Sequence, residues 1–195
     1  GKGLFAVEGA EWQWQRRTAA PVFTHRNVSA LAPVMTAAAE RASARLQTAA
    51  GRAVDLFDEM VTATFEVISD VTFSGGAGFE RAEVHRAIET YIAGTARVSL
   101  LDVIGAPGWV PRPGRMMGAR AIGRTKALAD RAIESPRASG ASSPPDLLDL
   151  LMAGEDPETG RRMTTDELRD NLLTFIVVGH ETTALTLAWA LYLCA

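Results

Sequence analysis

The sequence contains one cysteine, Cys194, among 195 residues. An internal disulfide is therefore excluded, and such sparse use of cysteine favours a reducing compartment, so we expect a cytoplasmic protein. Neither sign of charge dominates, because 20 lysine and arginine residues face 23 acidic residues, for a net charge of −3. A chain without a basic excess lacks the electrostatic footprint of nucleic-acid binding or of attachment to an anionic membrane, and we predict neither partner.

The beginning of the chain lacks both an initiating methionine and the apolar stretch of a signal peptide. At the other end, an apolar helical pattern runs to the last residue without any of the usual stop signals. These two features lead us to expect an internal piece of a longer protein, cut at both ends.

Aromatic residues are scarce, at 7% of a chain that is 47% hydrophobic, and alanine recurs throughout. This composition, with proline and glycine gathered in a few places, predicts an all-α chain without strands. Helices are predicted over about 11–20, 29–49, 54–71, 80–100, 115–133, 146–153 and from 165 to the end, with loops over 74–78, 105–114 and 135–145. The glycine-rich loop 74–78 lacks the lysine of a phosphate-binding P-loop, so a plain connection is favoured.

The last helix is apolar over residues 172–195 except for a polar cluster at its centre, residues 179–183. Its length would suit a membrane span. A charge at the middle of a span, however, costs roughly 2.5–3.5 kcal/mol. We therefore predict a central helix of a soluble protein, buried on every side.

The polar cluster predicts a small-molecule pocket with groups that can transfer protons. Helical spacing puts Val178, Glu181, Thr182 and Leu185 on one face, and the Thr182 hydroxyl can reach the Val178 carbonyl one turn back. Gly179 removes a side chain beside them, which predicts a local distortion of the helix with a carboxyl and a hydroxyl next to it.

Other interpretations of this cluster are a zinc site and a structural polar patch. The sequence from His180 to Ala184 begins like the zinc-protease signature, but alanine stands where the second histidine must be. The structural alternative is a buried helix whose polar groups are satisfied locally. We predict no metal ligand in this chain.

A second candidate site lies near the beginning, where Trp12 and Arg16 are four residues apart on a predicted helix. An indole N–H beside a guanidinium is suited to bind a carboxylate. The alternative is an ordinary amphipathic helix, and Arg17 leaves open which guanidinium faces inward.

Taken in order, these segments resemble the cytochrome P450 family. Residues 9–23 resemble its C helix, with the Trp-x-x-x-Arg pair, and residues 54–73 resemble its E helix. Residues 156–171, with the run Asp-Pro-Glu-Thr-Gly, are similar to the start of its I helix. Residues 178–183 match its oxygen-activation motif, [Ala/Gly]-Gly-x-[Asp/Glu]-Thr-[Thr/Ser], at five of six positions; the departure is Val178.

The resemblance implies haem b (iron protoporphyrin IX) as cofactor, with Trp12 and Arg16 contacting its propionates. It implies that Glu181 and Thr182 serve dioxygen activation as proton relay and hydrogen-bonding hydroxyl, and that Val178 and Gly179 lie closest to the iron. Phe175 and Val178 would contact a hydrophobic substrate. The family's cysteine loop is absent, so the axial ligand lies beyond this chain, and Cys194 is expected to be a buried, inert thiol.

The implied function is a partial monooxygenase domain over residues 1–195, which inserts one oxygen atom into a hydrophobic small molecule. Dioxygen and a separate electron-transfer protein of ferredoxin or flavodoxin type would be its partners, since nothing resembles a flavin domain. The alternative is a helical small-molecule-binding or regulatory domain without catalysis. A purely structural bundle is disfavoured, because it would bury His180 and Glu181 at a cost without return.

Overall fold

The computed structural model describes residues 1–72, 113–134 and 145–195, together with Arg86 and Thr90. Within these ranges the regular structure is helical and no strand is present, which confirms the predicted all-α class. The elements are α1 (Gly9–Ala19), a 3₁₀ helix (Ala20–Phe23), α2 (His25–Ala30), α3 (Ala32–Thr48), α4 (Leu56–Thr72), α5 (Pro113–Glu134), α6 (Leu147–Ala153) and α7 (Thr165–Cys194).

Helix boundaries differ from the predictions mainly around residue 31. The single helix predicted over 29–49 is two helices, since α2 ends at Ala30 and α3 begins at Ala32. Pro33 lies in the first turn of α3 and has no N–H to continue the hydrogen bonds of α2. The predicted helix over 80–100 and the loop over 74–78 lie outside the described residues, apart from two helical positions, Arg86 and Thr90. The same holds for the loops predicted over 105–114 and 135–145, except at their last residues: Pro113 and Gly114 begin α5, which corrects the loop prediction there, and Pro145 is non-helical.

The last two helices, α6 and α7, each begin with a capping box, in which two residues cap each other's backbone N–H groups. The Thr164 hydroxyl accepts from the Glu167 backbone N–H at 3.4 Å, and the Glu167 carboxylate accepts from the Thr164 N–H at 2.8 Å. Asp146 and Asp149 form the same arrangement at α6. Such capping boxes satisfy N–H groups that the first turn leaves free, and they fix where α7 starts.

The chain divides into two compact units, residues 1–76 with 135–195, and residues 77–134. In the first unit α7 packs along α4, α4 packs against α3, and α6 packs against α7. Its most deeply buried large side chains are Leu148, Leu151, Leu172 and Ile176. The second unit contains α5.

The expectation that the last helix is buried on every side is wrong for its second half. From Leu185 onward its large apolar side chains are exposed, with Trp189 at 57% and Leu193 at 77%. Burial along α7 extends from Leu172 and Ile176, which are fully buried, as far as Ala184. By length and composition alone, α7 is the one described helix that could cross a membrane.

Candidate functional site

The beginning of the chain is fixed to α7 by two adjacent polar side chains. Asp170 accepts a hydrogen bond from the Lys2 backbone N–H, and Asn171 accepts one from Leu4, each at 2.7 Å. The Asn171 side-chain amide in turn donates to the Gln15 side-chain oxygen Oε1 at 2.9 Å, and both groups are buried. Gln15 belongs to α1, so this buried network holds α1 against α7.

The turn over residues 156–161 provides a second connection between α1 and α7. Arg17 of α1 binds the buried Asp156 carboxylate with two hydrogen bonds, at 2.7 and 3.0 Å, and Thr159 donates a third at 2.6 Å. These bonds to the charged form, first from Arg17 and then from Thr159, hold the pKa of Asp156 well below its usual range. Gly160 has a φ of +69°, the left-handed conformation that closes the turn.

Arg161 extends this connection to the cap of α7. Its guanidinium lies 3.8 Å from the centroid of the Trp14 ring and pairs with Glu167 at 2.7 Å and with Glu11 at 3.3 Å. The Trp14 indole N–H also donates to Glu11 at 2.7 Å. The sequence reasoning missed Trp14 and Arg161, because no local pattern pairs residues nearly 150 positions apart.

Trp12 and Arg16 lie one helical turn apart on the exposed part of α1. Trp12 is 42% exposed, and neither side chain makes a hydrogen bond or ion pair with another described residue. Arg17 is engaged by Asp156, so the structure identifies Arg16 as the guanidinium that remains available. Their predicted role toward a carboxylate stays a prediction.

The polar cluster of α7 is divided between two sides of the helix. Glu181 and Thr182 are exposed, as are Val178 and Leu185, the residues predicted to share their face. The Thr182 hydroxyl donates to the Val178 carbonyl at 2.9 Å, as predicted. The predicted distortion does not interrupt the helix, since α7 is continuous from Thr165 to Cys194.

His180 lies on the opposite, buried side. Its ring packs edge-on against Phe65 of α4 at 5.6 Å, and its Nδ1 lies 2.6 Å from the Ile176 carbonyl. The His180 carbonyl accepts a hydrogen bond from the Thr64 hydroxyl of α4 at 2.9 Å. The sequence offered only a weak signal for Thr64, which is one of three hydroxyl residues, with Ser69 and Thr72, at positions that α4 buries.

An apolar cavity of 290 Å³ lies within the first unit, next to the polar cluster. Phe175, Val178 and Gly179 of α7 form one side of it, and the Phe23 ring meets Phe175 edge-on at 5.3 Å. The other lining residues are Val22, Val28, Leu31, Met35, Val67, Ile68, Val71, Leu147 and Leu150. The structure thus brings Phe175, Val178 and Gly179 together, whereas Glu181 and Thr182 do not line this cavity.

Cys194 is exposed at the end of α7, which corrects the expectation of a buried thiol. The apolar pattern around Cys194 does not lead to burial, since its neighbours Tyr192 and Leu193 are exposed as well. In the described ranges no three His, Cys, Asp or Glu side chains are grouped as metal ligands.

Comparison with known proteins decides the family. The cytochrome P450 family profile matches residues 1–195. The chain belongs to the cytochrome P450 family. It is 31% identical to cyclooctatin synthase of Streptomyces melanosporofaciens over 194 residues, 99% of this chain and 42% of the synthase. It is 28% identical to a bifunctional cytochrome P450/NADPH–P450 reductase of Alternaria alternata, over 98% of this chain and 18% of that protein.

Among solved structures, the cytochrome P450DA heme domain is similar with a TM-score of 0.82 and 26% identity, covering 99% of this chain and 42% of that one. The chain therefore spans less than half the length of these cytochrome P450 relatives. The family implies a haem cofactor in general terms.

Proposed function

We propose that this chain is part of a haem-dependent monooxygenase that uses dioxygen to insert one oxygen atom into a hydrophobic small molecule. One observation carries the proposal: an apolar cavity ends at Val178 and Gly179, and an exposed hydroxyl and carboxylate lie one turn further on. Residues 178 and 182 are one helical turn apart, so a molecule held beside Val178 lies close to the Thr182 side of α7.

The donors on α1 fit the carboxylates of haem b. The Trp12 indole N–H and the Arg16 guanidinium are both donors, both are exposed, and neither is engaged by another described residue. These groups would hold the two propionates. The haem, when bound, would supply the oxygen-activating chemistry, while the protein positions it.

The side chains of Glu181 and Thr182 are arranged to hold and move a proton. The Thr182 hydroxyl gives its single proton to the Val178 carbonyl, so its oxygen presents lone pairs that can accept from water. The adjacent Glu181 carboxylate is exposed and can exchange protons with solvent. Together they can orient a water molecule and resupply it with protons.

The cavity favours an apolar substrate, because every lining residue is apolar or glycine. Phe175 would provide an aromatic wall. Val178 would narrow the passage between the cavity and the Thr182 side, since it carries two methyl groups where the family motif has alanine or glycine. We therefore propose that Val178 selects slim hydrophobic molecules.

We propose that electrons come from a ferredoxin- or flavodoxin-type protein in the cytoplasm. The low cysteine content supports the location. A reductase fused to the haem domain is the other arrangement, and the Alternaria relative is named as such a fusion. The two arrangements are distinguished by purifying the full-length protein and measuring the reduction of its haem with each class of electron donor.

The proposed proton relay is tested by Glu181→Gln and Thr182→Ala in the full-length protein. We expect Glu181→Gln to lower kcat about 10²-fold, the usual contribution of a positioned acid or base. Thr182→Ala should divert reducing equivalents from product to hydrogen peroxide. The first is measured as the rate of product formation at saturating substrate, and the second as product and peroxide formed per NADPH oxidised.

Thr183→Ala is the matched control, because Thr183 is also exposed and makes the same 2.9 Å bond to a carbonyl one turn back. If Thr183→Ala and Thr182→Ala behave alike, the assignment of Thr182 is refuted. The second candidate function, a small-molecule-binding domain without catalysis, is favoured if ligand binds the cavity and no variant changes oxygen consumption.

A further inference from the structure

One hydrogen bond connects the buried side of α4 to the peptide that carries Glu181. The Thr64 hydroxyl lies 2.9 Å from the His180 carbonyl oxygen, and both residues are buried, with exposures of 7% and 2%. The His180 carbonyl and the Glu181 N–H belong to the same planar peptide unit. A group that holds this carbonyl therefore holds the plane from which the Glu181 side chain starts.

The Thr64 hydroxyl is well placed for this contact. It also lies 2.8 Å from the Met60 carbonyl and 3.2 Å from the Val61 carbonyl of its own helix, and because it has one proton, it shares that proton among these acceptors and the His180 carbonyl. The rings of Phe65 and His180 meet edge-on beside the contact, and both residues are buried. A hydrogen bond between two helices in such a buried interface is a strong local restraint.

We propose that Thr64 is a positioning residue, which fixes the His180–Glu181 peptide from behind and so sets the direction of the Glu181 carboxylate. Thr64 itself touches neither substrate nor cofactor in this proposal. The restraint of the His180–Glu181 peptide by Thr64 is inferred from the structure alone. Its effect on proton delivery rests on the proposed monooxygenase function.

The restraint is tested by hydrogen–deuterium exchange of the backbone amides over residues 178–186 in the full-length protein. Thr64→Val keeps the shape and removes the hydroxyl, and we expect exchange there to increase about five-fold, the factor that one net hydrogen bond corresponds to. Thr64→Ser keeps the hydroxyl and should stay within about two-fold of wild type, while residues 165–173 should not change in either variant.

Thr62→Val is the matched control. Thr62 makes the same bond to a carbonyl one turn back, that of Asp58 at 3.0 Å, but it lies about 200° around α4 from Thr64. Exchange in Thr64→Val equal to that in Thr62→Val would overturn the proposal. If Thr64→Val loosens the whole chain, Thr64→Ser decides: a serine variant as loose as the valine variant refutes a role for the hydroxyl.

The consequence for proton delivery is measured as hydrogen peroxide release during NADPH oxidation by the haem-loaded protein. We expect about five-fold faster release in Thr64→Val and wild-type release in Thr64→Ser and Thr62→Val. Faster exchange with unchanged peroxide release would refute the positioning role. A full-length protein that binds no haem would instead refute the proposed function and leave the exchange experiment to decide on Thr64.

Discussion

At the residue scale, Gly179 is not required by the packing of its helix, but it adds space to the neighbouring cavity. A Cβ added there would lie 3.6 Å from the Ile68 Cδ1 atom, an ordinary contact, so the packing of α4 against α7 does not require glycine. Glycine inside a helix costs about 0.5–1 kcal/mol relative to alanine. The missing side chain therefore lowers stability and adds free space to the cavity that Gly179 and Ile68 both line.

We expect Gly179→Ala to raise the free energy of unfolding by about 0.5–1 kcal/mol in urea titrations. Gly123→Ala is the control, because Gly123 is also a helical glycine and a Cβ there would meet no atom within 4 Å. Both variants should gain stability, but only Gly179→Ala should weaken the binding of an apolar probe to the cavity. A destabilised Gly179→Ala would show that the helices cannot accept even one methyl group.

The neighbouring residues Arg16 and Arg17 show how far the sequence alone could go. Helical spacing correctly placed Trp12 and Arg16 one turn apart, yet it could not tell which arginine is free. The answer depends on Asp156, which is 139 positions away in the chain and binds Arg17. The contacts of Thr64 and Arg161 escaped prediction for the same reason, since their partners are brought close only by the packing of distant elements.

At the scale of elements, the turn over residues 156–161 holds α1 and the start of α7 together. It contributes one bidentate ion pair to α1 through Asp156 and one guanidinium, Arg161, that bridges Trp14 and Glu167. Since α1 carries Trp12 and Arg16 and α7 carries Glu181 and Thr182, this turn, together with the Asn171–Gln15 hydrogen bond, contributes to the spacing of the two halves of the candidate site.

The turn predicts a specific dependence of stability on pH. The pKa of Asp156 is lowered in the folded state from an ordinary value of 3.8, chiefly by its hydrogen bonds from Arg17. A carboxyl with a lowered folded pKa stabilises the protein fully above its unfolded pKa, and this stabilisation is lost as pH falls toward the folded pKa. We expect Asp156→Asn to be less stable than wild type at pH 7, and the difference to shrink below about pH 4.

Asp58→Asn is a suitable control for this titration, since the Asp58 carboxyl is exposed and makes no ion pair with a described residue. Its stability difference from wild type should stay small from pH 7 to pH 3. Urea unfolding of the three proteins across this range is the measurement. A stability gap for Asp156→Asn that stays constant down to pH 3 would contradict the assigned ion pair.

At the scale of the whole molecule, the second half of α7 is a large apolar surface. Its exposed side chains include Leu187, Trp189, Leu191 and Leu193, and a soluble monomer rarely leaves such a contiguous stretch uncovered. The apolar character of this half was evident from the sequence, but the predicted burial was not, because burial depends on which distant elements pack against a helix. The first half is buried because α4 and α6 cover it.

Cys194 lies at the end of this apolar half, and its surroundings do not suit a thiolate that binds iron. The thiol is exposed, and the last turn of α7 contains no basic residue that could pair with a negative sulfur. We therefore expect the isolated 195-residue chain to bind haem poorly and to give no thiolate band in a carbon-monoxide difference spectrum. In a longer protein that contains the chain, Cys194→Ser should leave that spectrum unchanged. The isolated chain could instead give a thiolate band that disappears in Cys194→Ser. That result would identify Cys194 as the iron ligand and overturn the conclusion that it does not bind iron.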